Sequence, residues 1–324
     1  MNDVPLVSVL VVNYNGRSVL ADCLNSLASQ SYPRHAREVI VVDNASTDDS
    51  VPWLREHYPW VRLFALPKNT GFAEGNNIAY RRAHGEWIAL LNSDASVESD
   101  WLRKAIALGQ SDAAIGGVVG QLVFRDRPHV VNTTGLRLLP DGRGADRDFE
   151  RLAQDVNRTS GEVFGGCGAA VVLRRSMLDR IGLFDSRLFM YYEDLDLAWR
   201  AARSGWKFVY SPDLRGQHVF AASVGAASPM QTRYVERNRF LVNCRHAPLI
   251  VAIGTGIGLT ARCGRAIVRW LADRNNTTSR HVLAHGQAVI SALVAVPGLI
   301  VDRMNATRRL GSVAQLYRRW SRSS

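Results

Sequence analysis

Four short apolar runs, rich in β-branched residues, alternate with helix-patterned segments before residue 92, and each run ends in polar residues. Leu6 to Val12 ends at Asn13-Tyr14-Asn15-Gly16, and Glu38 to Val42 at Asp43-Asn44-Ala45-Ser46-Thr47-Asp48. Val61 to Leu66 ends at Pro67-Lys68-Asn69-Thr70-Gly71, and Glu86 to Leu91 at Asn92-Ser93-Asp94. Unbroken β-branched runs of this length read as strands buried on both faces. Leu20, Cys23, Leu24 and Leu27 share one face of a helix after the first run. Ser46 or Thr47 can cap a second helix, which carries Val51, Trp53 and Leu54. A third helix spans Ala73 to Ala83. This alternation predicts a parallel sheet with right-handed crossovers. Open sheets of that kind place ligands outside the carboxyl ends of their strands, where these polar residues fall.

Further along, residues 125–162 are rich in Arg, Asp, Gly and Asn and lack periodicity, so they read as a long surface insertion or mobile loop. A strand resumes over Val163 to Leu173. Its interior glycines, Gly165, Gly166 and Gly168, mark a close approach of backbone or ligand. A helix over Glu193 to Arg203 ends at Gly205, and short strands follow over Lys207 to Tyr210 and Leu214 to Val219. The start of that helix reads Met190-Tyr191-Tyr192-Glu193-Asp194-Leu195-Asp196. Three carboxylates within four positions repel one another unless water, a cation or a substrate proton shares the site. An acidic helix N-terminus favoured by the helix dipole explains one of them better than all three.

The net charge of +11 is unevenly spread. From Met230 onward fifteen Arg face three acids, a balance of +12, while the preceding residues are close to neutral. The basic character therefore belongs to residues 228–324, where Arg alternates with apolar helical faces. Within that segment Ala247 to Ala261 is uncharged but short for a bilayer. Val282 to Val301 reaches the ~20 residues a span needs, yet holds His285, Gln287 and Pro297, which favours an interfacial or buried helix over a span. Cysteines 23, 167, 244 and 263 show no metal or disulfide spacing and fit reduced thiols. No secretion signal precedes the first strand, so Asn132-Thr133-Thr134 reads as a chance glycosylation triplet.

Five motifs follow in order: Val9-Leu10-Val11-Val12-Asn13-Tyr14-Asn15, Val41-Val42-Asp43-Asn44-Ala45-Ser46-Thr47-Asp48, Asn69-Thr70-Gly71-Phe72, Leu91-Asn92-Ser93-Asp94 and Tyr192-Glu193-Asp194. Together they resemble a family 2 glycosyltransferase of the GT-A fold, near the bacterial rhamnosyltransferase-like branch, over roughly residues 6–220. The resemblance implies a Rossmann-like α/β nucleotide-diphospho-sugar transferase domain (residues 1–227) followed by a basic helical segment (228–324). It implies an inverting enzyme that uses Mn2+ or Mg2+. Val12, Tyr14, Asp43, Asn44, Asn69, Gly71, Asn76 and Asn92 would meet the donor nucleotide, Asp43 at its base or ribose. Asp94 and His218 would hold the metal. Asp194 would act as general base, with Glu193 raising its pKa, while Asp196 pairs locally.

The residue chemistry suits those roles. Tyr14 offers an aromatic wall, Asp94 a hard oxygen ligand and His218 an imidazole that favours Mn2+ over Mg2+. The chain departs from the family's D-x-D pattern, since Asn92-Ser93-Asp94 carries one carboxylate, and Asn92 is left to reach ribose or a metal-bound water. Against these roles, Asp43 and Asn44 are also common turn formers, and a lone histidine on a strand is often structural. Gly254-Thr255-Gly256-Ile257-Gly258 lacks the spacing and preceding strand of a dinucleotide motif. Trp199 and Trp206 read as core.

The resulting expectation is a cytoplasmic enzyme at the inner face of the plasma membrane, its basic helices on anionic lipid. It would transfer sugar, with dTDP-rhamnose the leading donor, to a glycan or lipid-linked acceptor in cell-envelope polysaccharide synthesis. A processive synthase would bring several spans and a Gln-x-x-Arg-Trp motif, and a nucleotidyltransferase a basic glycine-rich loop after the first strand. A non-catalytic nucleotide-sugar-binding or membrane-scaffold protein is the alternative: the single carboxylate at 92–94 favours it, and the intact Glu193-Asp194 opposes it. Nucleic-acid binding would need aromatics interleaved with the basic residues, and only Tyr317 and Trp320 qualify.

Overall fold

The expected strands form: β1 (Val7–Asn13), β2 (Arg37–Asp43), β3 (Arg62–Ala65) and β4 (Trp87–Leu91) pair in parallel in the order β3-β2-β1-β4. The structure is a computed structural model that describes residues 4–156, 159–219, 228–272, 279–307 and 313–322. Alternate side chains divide between two cores, as the two-residue period of a strand requires. Val7, Val9, Val11, Val41 and Leu91 point to one face, and Leu10, Ile40, Val42, Ile88 and Leu90 to the other. Helix α1 (Arg17–Ala28) covers the first face with Leu20, Cys23, Leu24 and Leu27. Helix α2 (Ser50–His57) and helix α3 (Gly71–Tyr80) follow β2 and β3. Ser46 and Thr47 do not cap α2: Ser46 is drawn back to Asp43, and Asp48 Oδ1 accepts from Ser50 N at 3.1 Å instead.

Beyond β4 come β5 (Ala95–Val97), α4 (Trp101–Gln110) and the long β6 (Ile115–Phe124). Residues 125–162, expected as a long surface insertion or mobile loop, carry short strands among their described residues. They hold β7 (Val131–Thr133), the hairpin β8 (Leu136–Leu138) and β9 (Gly144–Asp146), and the start of β10 (Gly161–Val163). Val131, Asn132, Thr133, Thr134 and Leu138 are buried, and β7 pairs antiparallel with β6. The burial of Asn132 agrees with reading its triplet as a chance match.

The strand expected over Val163 to Leu173 is split. β11 (Ala170–Arg174) forms, but the glycine stretch before it is a loop. β11 runs antiparallel to both β4 and β6, pairing Ala170 with Leu91, so the sheet is mixed rather than wholly parallel. This entry from the opposite end lays residues 165–169 beside the end of β4, where Asn92 N donates to Ala169 O at 2.9 Å. After α5 (Arg175–Ile181) and α6 (Glu193–Arg203), one continuous β12 (Lys207–His218) replaces the two short strands expected. The main sheet reads β10-β12-β6-β11-β4-β1-β2-β3 among the described residues.

Helices α7 (Pro229–His246), α8 (Leu249–Ala272), α9 (Ser279–Thr307) and α10 (Val313–Arg322) complete the chain. Ser228 caps α7, its side chain accepting from Gln231 N at 3.1 Å. α7 and α10 pack on α6 in a third core that unites Leu195, Trp199, Leu241, Val242 and Tyr317. Tyr317 stacks on Trp199, and Trp320 meets Phe164, so both aromatics of the basic tail serve packing. α8 is longer than its uncharged stretch suggested, and both α8 and α9 are long and apolar enough to cross a membrane by length and composition. α9 is not buried: Ile290, Leu293 and Val294 are exposed, as are Ile250, Ile253 and Ile257 of α8.

An ion-pair cluster joins α6 to α7. Asp196 is fully buried and accepts from Arg200 Nε at 2.7 Å, Arg245 Nη1 at 2.8 Å and His246 Nε2 at 2.8 Å. Burial pushes the Asp196 carboxyl up, but Arg200, His246 and Arg245 outweigh it and hold the pKa well below the ordinary range. Burial lowers His246 despite Asp196 beside it. Both groups therefore bind fewer protons folded than unfolded, so their stabilisation is present near neutrality and is lost on acidification. Asp196→Ala leaves Arg200 and Arg245 short of a buried partner and is expected to cost about 3 kcal/mol. The check is chemical denaturation at neutral pH. At acid pH the gap between wild type and variant narrows.

Candidate active site at the strand ends

The carboxyl ends of β1, β2 and β4 bring the polar motifs together. Asp43 is 1% exposed and accepts from Asn13 Nδ2 at 2.9 Å, Ser46 N at 2.9 Å and Ser46 Oγ at 2.6 Å. Its carboxylate thus builds the turn, and Tyr14, half exposed beside it, has the surface to meet a flat base. Asn44 spends its amide on the neighbouring loop. Nδ2 donates to Asn69 Oδ1 and Gly71 O, both at 3.0 Å, and Oδ1 accepts from Thr70 N at 2.8 Å. Asn69, in turn, accepts from Gly71 N at 2.9 Å. Its contribution is loop shape. Asn76 is buried in α3 and donates to Phe72 O at 3.0 Å, while Val12 packs against α3 at Gly75.

Gly71 opens α3 with φ of 85°, and a Cβ there would strike the ring and carbonyl of Phe189. Only glycine combines that φ with such closeness. The contact continues as a hydrogen bond from Ala73 N to Phe189 O at 3.0 Å. The donor-side loop therefore touches the turn that leads into the acidic cluster.

Asp94 and His218 converge from the end of β4 and the end of β12. His218 Nε2 lies 3.1 Å from Asp94 Oδ1, and both side chains are 8% exposed. His218 Nδ1 lies 2.9 Å from Asn132 Oδ1, a hydrogen bond in the tautomer that carries its proton on Nδ1. Nε2 then presents a lone pair to a carboxylate lone pair, an arrangement that calls for a shared proton or a cation. Asn92 Nδ2 sits 3.5 Å from the same Nε2, while Asn92 Oδ1 is buried without a protein partner. A carboxylate and an imidazole converging beside an unpaired amide oxygen fit a divalent cation, which needs few protein ligands when a diphosphate supplies the rest. No cluster of three acidic, histidine or cysteine side chains with metal-ligand spacing occurs among the described residues.

Glu193 and Asp194 start α6. Asp194 keeps some contact with solvent and Glu193 is buried, its Oε2 without a protein partner. Asp194 accepts from Leu195 N at 2.7 Å and from the backbone of Gly168, so the loop glycine marks a close backbone approach. Burial raises the Asp194 pKa, and the charge adding to it is that of Asp146 on β9. Burial, then Asp194, raises Glu193, so the two adjacent carboxylates oppose each other's ionisation, with Asp146 a further charge on Asp194. Asp146 is itself raised by burial and feels His218, so it bridges the acidic pair and the Asp94–His218 pair electrostatically.

Asn132, read as part of a chance triplet, and Asp146 were not assigned to the site because both lie in the stretch read as an insertion or loop. The nearest signal was the short β-branched pair Val130-Val131 before Asn132, easily lost among the Arg and Gly around it. The Asp94–His218 pair and the acidic start of α6 are linked through the loop at 165–169, whose Ala169 O bonds Asn92 N and whose Gly168 backbone meets Asp194. The family model described as glycosyl transferase family 2 matches residues 8–182. The chain belongs to glycosyl transferase family 2.

Relatives and solved structures agree with that family. The chain is 29% identical over 240 residues to an N-acetylglucosaminyltransferase of Rhizobium sp. (strain N33), covering 71% of this chain and 52% of that protein. It is 27% identical over 295 residues to an N-acetylglucosaminyltransferase of Sinorhizobium fredii (strain NBRC 101917 / NGR234), covering 82% and 70%. It thus spans about half the length of the first of these. The mannosyltransferase PcManGT from Pyrobaculum calidifontis, solved with GDP-Man and Mn2+, superposes with a TM-score of 0.56 at 20% identity, over 90% of this chain and 88% of that one. That likeness shows the GT-A fold. The domain of this family 2 member is a glycosyltransferase domain of that fold, followed by the helical segment from α7 to α10.

Proposed function

We propose that this family 2 protein transfers a sugar from a nucleotide-diphospho-sugar to an acceptor hydroxyl with inversion at the anomeric carbon. The observation that carries the reading is the Asp94–His218 pair at the strand ends together with the half-buried Asp194 at the start of α6. Asp194 would take the proton from the acceptor hydroxyl as it attacks, since its raised pKa makes it a stronger base than an ordinary aspartate. Tyr14 would stack on the base, with Val12 and Asn76 behind it. Asn44 and Asn69 would hold the loop at Gly71 in register with the donor, and Asp43 would hold the turn beneath the ribose. Asn92 would face the ribose or the phosphates. Asp94 and His218 would hold Mn2+ or Mg2+, which when bound supplies positive charge to the departing diphosphate.

Two donors are in play. Branch resemblance favours dTDP-rhamnose, and the names of the relatives favour a UDP-linked N-acetylglucosamine. A thermal-shift screen of nucleotide sugars with Mn2+ separates them, because a bound donor raises the melting temperature by mass action. Stabilisation by neither, with no nucleotide released on incubation, would sink the transferase reading and leave the scaffold alternative.

The acceptor would be a glycan or a lipid-linked sugar reached at the cytoplasmic face of the plasma membrane. Supporting this, exposed Ile267, Val268 and Leu271 on α8 sit among exposed Arg265 and Arg269. Such a face binds anionic lipid through apolar burial and charge. The full chain is expected to float with anionic vesicles and to be weakened by salt. Ile253→Glu/Val294→Glu, which charges two exposed apolar positions, should reduce flotation at least severalfold. Equal flotation of variant and wild type would count against the membrane role.

A further inference from the structure

We infer that Asn238 of α7 is a positioning residue for the acidic pair: it holds the strained turn at 188–192 that aims Asp194 and meets the donor loop. The turn is conformationally costly. Phe189, Tyr191 and Tyr192 all adopt positive φ, at 63°, 67° and 70°, although none is glycine. Non-glycine residues in that region persist only where surroundings over-determine them. Asn238 is fully buried and supplies the constraint: its Nδ2 faces Leu188 O at 2.8 Å, Met190 O at 2.9 Å and Tyr191 O at 2.8 Å. One amide group thus gathers three carbonyls of the turn. Its Oδ1 is fixed in turn by Arg237 Nη1 at 2.8 Å, and the same Arg237 nitrogen donates to Arg187 O at 2.9 Å. Tyr234, one helical turn earlier on α7, stacks on Phe189 with ring centroids 4.9 Å apart.

The turn leads straight into Glu193 and Asp194, and its Phe189 carbonyl is the group packed against Gly71 and bonded to Ala73 N. Asn238 therefore sets the distance between the donor loop and the base. On the far side of the acids, Arg245 and His246 of the same helix grip Asp196. α7 is in this sense part of the catalytic apparatus rather than only the start of a basic segment. The inference rests on the transferase reading above.

Asn238→Ala and Asn238→Asp in the full chain test it. The aspartate keeps the acceptor that Arg237 uses but cannot donate to the carbonyls. Both are expected to lower kcat at saturating donor on the order of 10²-fold, since a misplaced catalytic group of about 1 Å costs that much. Nucleotide affinity should stay within about threefold, giving a kcat loss without a matching KM change. Asn243→Ala is the control. Asn243 is also fully buried on α7 but bonds Thr255 Oγ1 at 2.9 Å, so its loss should lower the melting temperature and leave kcat per folded molecule unchanged. Hydrogen exchange adds a readout free of turnover: in Asn238→Ala, amides of residues 188–195 should exchange faster while those of β1 and β4 keep their protection. Unchanged exchange there, or wild-type kcat per folded Asn238→Ala, overturns this inference alone. A wild-type chain that consumes no nucleotide sugar overturns it together with the proposed function.

Discussion

Asp194→Asn is expected to lower turnover at saturating donor on the order of 10²–10⁴-fold, the range for removing a general base. The substitution keeps size and the acceptor for Leu195 N, so fold and nucleotide affinity should survive. Glu193→Gln should cost less, because Glu193 is buried behind Asp194 rather than facing solvent. Turnover must be compared at saturating donor, since a binding defect otherwise imitates a chemical one. The pH profile adds a signature. Burial and then Asp146 raise the Asp194 pKa, so kcat should fall on acidification at a higher pH than the value of about 3.9 for a free aspartate. Asp146→Asn removes the added charge and should move that limb to lower pH. Near wild-type transfer by Asp194→Asn with a dead Glu193→Gln would make Glu193 the base. Full activity in both would end the mechanism proposed here.

The second large effect concerns Asp94. Asp94→Asn should abolish the strengthening of nucleotide binding by Mn2+, measured by calorimetry with UDP and dTDP at fixed metal concentration. Asn132→Ala should weaken the same effect about 10–100-fold. Asn132 touches no ligand in this scheme; it holds His218 Nδ1, and partners that orient a metal-binding imidazole carry that much affinity. Binding by Asp94→Asn that still responds to Mn2+ as wild type does would remove Asp94 from the metal site.

Much of the fold was legible where one physical signal dominated. The first four strands were read from β-branched runs within about one residue of their ends, because strands buried on both faces need apolar side chains throughout. The face of α1 and the full extent of α6 were read from periodicity. Illegible were the elements whose stability comes from distant partners. β7, β8 and β9 are three residues each: β7 exists because β6 supplies it an edge, and β8 and β9 pair with each other in a small sheet of their own. With them Asn132 and Asp146 were lost, although they shape the site from its far wall. The direction of β11 was equally hidden, since an apolar run carries no record of which way it enters a sheet. Within the site, residue types announced the chemistry at Asp94, Asp194 and His218. They could not show that Asn44 serves the loop, or that Asn238, nearly fifty residues downstream, steadies the turn before the base. Turn strain and its remedy become visible only once both segments share a space.

The third core sets an order of events for a chain emerging from a ribosome. The sheet draws on residues up to His218 and closes its two faces with helices close by in sequence. The core around Trp199 cannot close until α7 has arrived, and Tyr317 of α10 is the last piece laid over it. Contacts so far apart in sequence form late. A nascent chain would therefore display a finished nucleotide-binding sheet while its acidic helix is still unsupported. On the proposed mechanism, chemistry would begin only after α10 has docked, by which time α8 and α9 before it have also been made.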